Sequence, residues 1–235
     1  MSEPKVIFED DSILVLDKPA GWITNSANTT TDQPTVQGWL AENFQFPISS
    51  LQIFRSGIVH RLDKETSGIL IIAKTKEAFE TLQKEFKERQ VKKTYVALVH
   101  GVVPPPVGGV GKISAPVGRL PWNRRRFGVL PGGREAVTNY ITLKVWENFS
   151  LLELKPETGR THQIRIHLKH IGHPIVADEF YAGRKTSRDD REWCPRLFLH
   201  ATTIDFIHPQ SGEKVNFESE LPADLKKVLK NLSNK

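Results

Sequence analysis

Short apolar runs typical of strands recur along the chain. Residues 6–8 and 13–16 are β-prone runs separated by three acidic residues, and this pattern predicts a hairpin. The uninterrupted apolar run 69–73 is typical of a strand that is buried on both faces. Four further strands are predicted at residues 94–100, 137–146, 149–155 and 197–207.

Between these strands, apolar residues recur at the spacing of amphipathic helices. A short helix is predicted at residues 35–43, and Thr75 is positioned to cap a second helix that follows it. A third helix around residues 164–171 is expected to stop at Gly172. A fourth amphipathic helix is predicted at residues 221–232.

No internal repeat and no linker interrupts this order of elements. A hydrophobic fraction of 38% with 26% charged residues is typical of a folded chain rather than a disordered one. The simplest fold is therefore one α+β domain over residues 1–235. We expect a mixed, largely antiparallel sheet flanked by helices and loops.

Cysteine content and hydropathy limit the classes of protein to which the chain can belong. The single cysteine, Cys194, excludes an internal disulfide framework and a cysteine-rich zinc site. No stretch approaches the ~20 apolar residues that span a bilayer. The first residues carry neither the basic nor the apolar region of a signal peptide. We therefore expect a cytoplasmic protein that does not enter a membrane.

The chain is basic, and one segment is rich in arginine. Lys and Arg number 33 against 27 Asp and Glu, which leaves a net charge of +6 and modestly favours a polyanionic partner. Residues 119–134 contain five arginines with Trp122 and Phe127 among glycines and prolines. This segment is predicted to be a loop that binds a nucleic-acid backbone, with the two rings available for stacking. The alternative is an ordinary solvated loop.

Two motif-like strings fit no cofactor. Gly111-Lys112 is followed by Ile113, so it is not a nucleotide-binding loop. Four histidines cluster around the third predicted helix, but the first two are five residues apart and no acidic residue is interleaved among them. We interpret them as core, solvated or RNA-facing residues and expect no metal. They are His162, His167, His170 and His173.

Two polar segments contain the candidate catalytic groups. Residues 57–68 lead directly into the buried strand, which places Asp63 on a loop anchored by a rigid element. The local alternative is a surface ion pair of Asp63 with Arg61 or Lys64. Residues 157–165 form a polar turn that opens the third helix and is a candidate to face the Asp63 loop. Here the alternative is ordinary helix capping on a solvated face.

These two segments and four others, in the same order, resemble the RluA family of RNA pseudouridine synthases. The resemblance runs over most of the chain and implies the fold of the catalytic domain of that family. Its blocks are Lys18-Pro19-Ala20-Gly21, His60-Arg61-Leu62-Asp63 with Thr66-Ser67-Gly68, and residues 93–101, 159–167, 173–178 and 199–201.

The resemblance implies an isomerase that detaches uracil from C1′ of a uridine, turns it and rejoins it through C5. Nothing is oxidised or hydrolysed overall, so no cofactor and no metal is expected. The implied catalytic residues are Asp63 as the carboxylate, Arg165 as its ion-pair partner and Tyr95 as the aromatic that stacks on the target base. By its strand pattern alone, Tyr95 is predicted to be a half-buried strand aromatic.

The same resemblance implies a set of substrate-binding residues. Ile164 matches a position that lines the uracil pocket, and Arg61 matches the position that enters the stack vacated by a flipped base. His60, Leu62 and Arg160, from the same motifs, complete the expected set. The expected partner is ribosomal RNA, transfer RNA or both, bound by a monomer.

Two features depart from the family pattern. The family often has apolar residues and a His-Pro after the Lys-Pro-Ala-Gly block, whereas this chain has Trp22-Ile23-Thr24-Asn25. Many relatives carry an extra N-terminal RNA-binding module, which we expect to be absent because the resemblance begins near residue 6. Two alternative functions remain open. One is a catalytically inactive RNA-binding protein of the same fold, and the other is a nucleoside C1′ glycosidase, for which only Glu65 is nearby as a second carboxylate.

Overall fold

The chain forms two compact units in the computed structural model, which describes residues 2–26, 33–45, 52–121 and 123–233. The first unit comprises Met1–Lys93 and Ala201–Glu220, and the second comprises Thr94–His200 and Leu221–Lys235. The expectation of one domain over residues 1–235 stays a prediction.

The described residues contain eleven strands, five α-helices and a short 3-10 turn at Gln52–Gly57. The fold is α+β with mostly antiparallel strands, which confirms the predicted class. The strands are β1 (Lys5–Glu9), β2 (Ile13–Lys18), β3 (Ser67–Ala73), β4 (Lys92–His100), β5 (Gly111–Ser114), β6 (Val117–Leu120), β7 (Asn123–Val129), β8 (Val137–Val145), β9 (Phe149–Pro156), β10 (Leu199–Ile207) and β11 (Lys214–Glu218). The helices are α1 (Val36–Asn43), α2 (Lys76–Lys87), α3 (Gln163–His170), α4 (Arg184–Arg191) and α5 (Ala223–Ser233).

The first unit has the strand order β1-β2-β3-β10, with β11 paired to β10. Every residue of β3 is buried, which confirms the prediction of a strand covered on both faces. Thr75 Oγ1 accepts the N–H of Ala78 (3.1 Å), as expected of the cap of α2. Alternate residues of β2 and β3 pack with α2 in one buried cluster, as the side-chain period of a strand requires. Its members are Ile13, Val15, Ile69, Ile71, Ala73, Ala78, Phe79, Leu82, Val91, Ile204 and Phe206.

The second unit has the strand order β4-β9-β8-β5, and these pairings are antiparallel. The strands β8 and β9 confirm the two runs predicted at 137–146 and 149–155. Helix α3 confirms the third predicted helix, and Gly172 follows it with a φ of 88°. The strands β5 and β11 and the helix α4 were not predicted, because charged residues or glycine interrupt their apolar pattern.

The arginine-rich segment is largely a β-hairpin, so the prediction of a loop over residues 119–134 was wrong. Strands β6 and β7 pair antiparallel, with Val117 opposite Val129. Val117 is buried in a cluster with Ile166 and Tyr181, against which Val129 also packs. The hairpin is therefore held by apolar contacts to distant parts of the sequence. Its own arginines and glycines leave no apolar alternation from which strands could be predicted.

Candidate active site

Asp63 lies on a turn directly before β3 in the first unit. Its carbonyl oxygen accepts the N–H of Thr66 (3.1 Å), and its side chain is partly buried. At the start of β3, Gly68 has a φ of 114°, and a Cβ there would lie 2.1 Å from the carbonyl oxygen of Ala201. Only glycine fits this close approach. A side chain at Gly68 would therefore displace the backbone where the turn enters the buried strand.

The buried lysine Lys18 fastens the turn on its C-terminal side. The side chain is 0% exposed, and Nζ donates to the carbonyl oxygens of Pro19 (3.1 Å), Trp22 (2.9 Å) and Lys64 (3.3 Å). The N–H of Gly21 donates to the same oxygen of Lys64 (2.8 Å). A charged ammonium group is stable in the interior only when hydrogen bonds such as these replace its bonds to water. Lys18 belongs to the first block of the family resemblance, but nothing local in the sequence indicates this role of the lysine.

Thr24 fastens the turn on its N-terminal side, from the segment that departs from the family pattern. Its hydroxyl donates to the carbonyl oxygen of Leu62 (2.8 Å) and accepts the N–H of the same residue (3.2 Å). Thr24 and Leu62 are 1% and 4% exposed. The backbone on both sides of Asp63 is thus bonded to one neighbouring segment. The substrate contact expected for Leu62 stays a prediction.

His60 fastens the beginning of the same loop to β3. Its Nε2 accepts the N–H of Ile71 (2.9 Å), and its ring stacks on Phe86 with centroids 4.9 Å apart. Burial, with the nearby charge of Lys93, lowers the pKa of His60 to about 3. Burial also lowers the pKa of Lys93 to about 8. The imidazole is therefore neutral at pH 7 and supports the loop as an acceptor, while its expected substrate contact stays a prediction.

Replacing His60 with glutamine is expected to remove a pH dependence of stability, because glutamine offers an acceptor to Ile71 but does not titrate. The folded pKa of about 3 lies below the ordinary value of 6.5. His60 therefore stabilises the fold above pH 6.5, and this contribution is lost as the pH falls towards 3. Between pH 6.5 and 3 the free energy of unfolding of the wild type should fall by up to ~1.4 kcal/mol per pH unit more than that of His60→Gln. Urea unfolding of both proteins at several pH values measures the difference, and parallel curves would contradict it.

In the second unit, Gln163 organises the turn that precedes α3. Its Oε1 accepts the hydroxyl of Thr158 (2.7 Å) and the N–H of Arg160 (3.0 Å). Its Nε2 donates to the carbonyl oxygen of Val137 (2.9 Å) and to Thr138 Oγ1 (3.0 Å). The side chain is 4% exposed, so this turn is bonded firmly to β8. The interpretation of residues 157–165 as a polar turn that opens a helix is confirmed.

Arg165 forms a buried, bidentate ion pair with Asp178. Nε and Nη2 of Arg165 donate to Oδ2 and Oδ1 of Asp178, each at 2.8 Å. Arg165 is 4% exposed and Asp178 is 0% exposed. Oδ1 of Asp178 also accepts the N–H groups of Phe180 (2.9 Å) and Tyr181 (3.1 Å). Asp178 lies in one of the family blocks, but nothing local in the sequence marks it as the partner of an arginine.

The other expected site residues lie on these same elements. Tyr95 is 8% exposed on β4 opposite Leu154 of β9, and Ile164 is 7% exposed on α3. Arg160 Nε donates to the carbonyl oxygen of Glu135 (3.1 Å), whereas Arg61 is exposed on the Asp63 loop. The substrate contacts expected of these residues stay predictions.

The implied catalytic residues divide between the two units. Asp63 belongs to the first unit, where one loop also carries His60, Arg61 and Leu62. Tyr95 and Arg165 belong to the second. The expected pairing of Asp63 with Arg165 therefore stays a prediction.

The histidines around α3 have separate structural surroundings. His167 is fully buried, and its Nε2 donates to the carbonyl oxygen of Ala115 (3.0 Å) while Nδ1 accepts the hydroxyl of Thr138 (3.0 Å). Burial lowers the pKa of His167. His162 Nδ1 is bonded to the hydroxyl of Tyr181 (2.9 Å). Within the described ranges, no group of three or more metal-ligating side chains converges, and no helix is long and apolar enough to cross a bilayer.

Two relatives in sequence cover almost the whole of this chain. A ribosomal large subunit pseudouridine synthase D from Neisseria meningitidis is 38% identical over 231 residues, which cover 95% of this chain and 60% of that protein. Its namesake from Nitrosomonas europaea is 39% identical over 235 residues, which cover 98% of this chain and 65% of that protein. The chain thus spans less than two thirds of the length of these two relatives.

A solved structure and a family profile agree with these relatives. The human protein RNA Pseudouridylate Synthase Domain Containing 1 has a TM-score of 0.72 and 26% sequence identity, covering 99% of this chain and 95% of that one. The profile of the RNA pseudouridylate synthases matches residues 12–170, which include the Asp63 turn and α3. With its motifs in family order, the chain therefore belongs to the RluA family of RNA pseudouridine synthases.

Proposed function

We propose that this chain converts uridines in RNA to pseudouridine, with Asp63 as the catalytic carboxylate. The observation that carries the proposal is the turn that presents Asp63, because Lys18 and Thr24 bond the backbone on both sides of it. A carboxylate carried on a backbone held in this way needs little movement of the main chain when the reacting sugar arrives. Membership of the family supports the same assignment.

The proposed reaction needs one carboxylate and no further reactant. The bond between C1′ and N1 breaks, the uracil turns, and a bond forms between C1′ and C5. C5 loses a proton and N1 gains one, so the product is an isomer of the substrate. A carboxylate at C1′ serves this reaction because it offsets the positive charge that the sugar develops when the base leaves.

We also propose roles for three residues of the second unit, as the family resemblance implies them. We assign to Arg165 the orientation of Asp63, to Tyr95 the stacking on the target base, and to Ile164 the lining of the uracil pocket. The two hydrogen bonds to Asp178 fix the plane of the Arg165 guanidinium, and such a fixed plane favours directional binding of a second acceptor. Tyr95 and Ile164 are 8% and 7% exposed, which suits residues that enclose a small planar base.

The proposed substrate is ribosomal RNA, because the two relatives described above are named for the large ribosomal subunit. Mapping pseudouridines in RNA from cells with and without the gene tests this proposal. We expect defined positions to lose pseudouridine without the gene and to regain it with the wild-type gene but not with Asp63→Asn. Loss confined to transfer RNA would replace the proposed substrate class, and an unchanged map would overturn the proposed activity.

The same RNA distinguishes the two alternative functions. A C1′ glycosidase releases free uracil and leaves abasic sites, whereas an isomerase leaves every base attached. An inactive RNA-binding protein binds the RNA without changing it. Incubating purified protein with transcribed ribosomal RNA and measuring both free uracil and pseudouridine separates the three outcomes.

Replacing Arg61 with alanine is expected to lower the single-turnover rate by roughly 10- to 100-fold while the Kd for RNA changes little. A stacked uridine must leave the helix at a cost of a few kcal/mol, and the exposed guanidinium of Arg61 is available to fill the vacated position. Lys76→Ala is the matched control, because it removes an exposed positive charge from α2 of the same unit. Equal rates for both variants would exclude this role of Arg61.

A further inference from the structure

Phe180 presents an exposed aromatic ring on a firmly held backbone in the second unit. The residue is 42% exposed, whereas the next residue, Tyr181, is 6% exposed. The N–H groups of both residues donate to Oδ1 of Asp178, at 2.9 Å and 3.1 Å. A single exposed apolar residue is common on protein surfaces. The uncommon feature here is the set of cationic groups around a ring whose backbone is fixed.

Two guanidinium groups lie over the ring of Phe180 as cation–π partners. The Cζ atom of Arg165 is 5.3 Å from the ring centroid, and the Cζ atom of Arg126 on β7 is 5.9 Å from it. Arg126 is only partly buried. The hairpin to which it belongs, residues 117–134, contains five arginines and no acidic residue. Because Arg165 is already paired with Asp178, the charge that suits an anionic, planar ligand such as a nucleotide comes from Arg126 and its hairpin.

Phe127, predicted to be available for stacking, has packing contacts of its own, and its stacking role stays a prediction. Its partly buried ring packs against the cluster of Val117, Ile166 and Tyr181. The Cζ atom of Arg119 is 5.2 Å from the centroid of the same ring. Trp122 and the side chains of Arg124 and Arg125 lie outside the part of the chain that the structure describes.

We propose that Phe180 and Arg126 form a second nucleotide-binding surface, which holds an RNA nucleotide other than the target uridine. The base stacks on the ring of Phe180, and the guanidinium of Arg126 contacts a phosphate. The proposal rests on the proposed function, because it assumes that RNA is the ligand. Any base can stack on an aromatic ring. This surface therefore adds affinity and fixes the position of the RNA along the protein, but it adds no sequence preference.

The first test is the Kd for a single-stranded RNA that contains the modified uridine found by mapping. Loss of base stacking typically weakens binding roughly 5- to 100-fold, and we expect that loss for Phe180→Ala and Phe180→Leu. Phe180→Trp should retain the affinity of the wild type. Phe8→Ala, which removes a 37% exposed phenylalanine from the first unit, is the matched control and should have no effect. Wild-type affinity of Phe180→Leu would overturn the proposal, because it would show that an apolar side chain suffices.

The second test separates stacking from phosphate contact. An RNA series with one abasic position at a time should contain a position at which loss of the base weakens binding to the wild type but not to Phe180→Ala. Arg126→Ala should reduce the slope of log Kd against log salt by up to ~0.7, and Phe180→Ala should leave that slope unchanged. The absence of any such position in the series would overturn the stacking role.

Failure of this proposal and failure of the proposed function give different results. If the protein modifies RNA normally while Phe180→Ala and Arg126→Ala bind RNA like the wild type, only the second surface is overturned. If the wild type neither binds nor modifies the mapped RNA, the proposed function itself is overturned. Thermal unfolding of each variant identifies any that lose the fold, and the comparison of Phe180→Leu with Phe180→Trp then decides.

Discussion

Asp63→Asn is expected to lower the single-turnover rate of pseudouridine formation by roughly 10⁴-fold or more, the scale on which enzymes lose activity without their nucleophile. Asparagine has the shape of aspartate but neither its charge nor its nucleophilic oxygen. The turn should persist, because Thr66, Lys18 and Thr24 donate hydrogen bonds to its backbone carbonyl oxygens. None of these bonds uses the carboxylate of Asp63. The Kd for RNA should therefore stay within a few-fold of the wild-type value.

Glu65→Gln is the matched control for this variant, since it removes the other carboxylate of the same loop. Its rate should stay close to that of the wild type. A rate lost in Glu65→Gln as well would favour two-carboxylate chemistry, as in a glycosidase. Appreciable turnover by Asp63→Asn, free of contaminating wild-type enzyme, would contradict the assignment of Asp63.

Asp178→Ala is expected to lower the free energy of unfolding by about 3–5 kcal/mol. The substitution leaves the guanidinium of Arg165 buried without its carboxylate and removes the acceptor of the N–H groups of Phe180 and Tyr181. Asp178→Asn keeps an oxygen acceptor but not the charge, so its loss of unfolding free energy should be smaller. Urea unfolding monitored by tryptophan fluorescence measures the free energy of unfolding of the wild type and the two variants.

A second ion pair in the same unit provides the control for burial. Arg196 Nε lies 2.6 Å from Asp224 Oδ2, but the side chain of Asp224 is 38% exposed, whereas that of Asp178 is 0% exposed. Asp224→Ala should therefore lower the free energy of unfolding by only about 1 kcal/mol. Equal losses for Asp178→Ala and Asp224→Ala would show that burial of the Arg165–Asp178 pair contributes nothing to stability.

Many helices and strands could be predicted from the sequence because their signals are local. The apolar run of β3 and the capped helix α2 depend on residues within a few positions of one another. The Asp63 motif is local in the same sense, since one loop carries the candidate carboxylate and leads into a rigid strand. Such segments keep their structure in many contexts, and their pattern is therefore readable in one sequence.

The hairpin β6–β7 and the strand β11 could not be predicted in this way. β11 alternates exposed and partly buried residues, and it forms by pairing with β10. In the hairpin, Val117 and Val129 become apolar anchors only because Ile166 and Tyr181 pack against the same cluster. When long-range packing selects the conformation, local propensity carries little information about it.

The sequence by itself determined the α+β class, the main helices and strands, and the motifs that identify the family. The tertiary structure alone decided which groups support those motifs. Lys18 donates to the carbonyl oxygen of a residue 46 positions away, and Arg165 donates to a carboxylate 13 positions away. A buried charge is stable only where such a partner meets it with good geometry. That geometry depends on the whole packed unit, so no local pattern in the sequence reveals it.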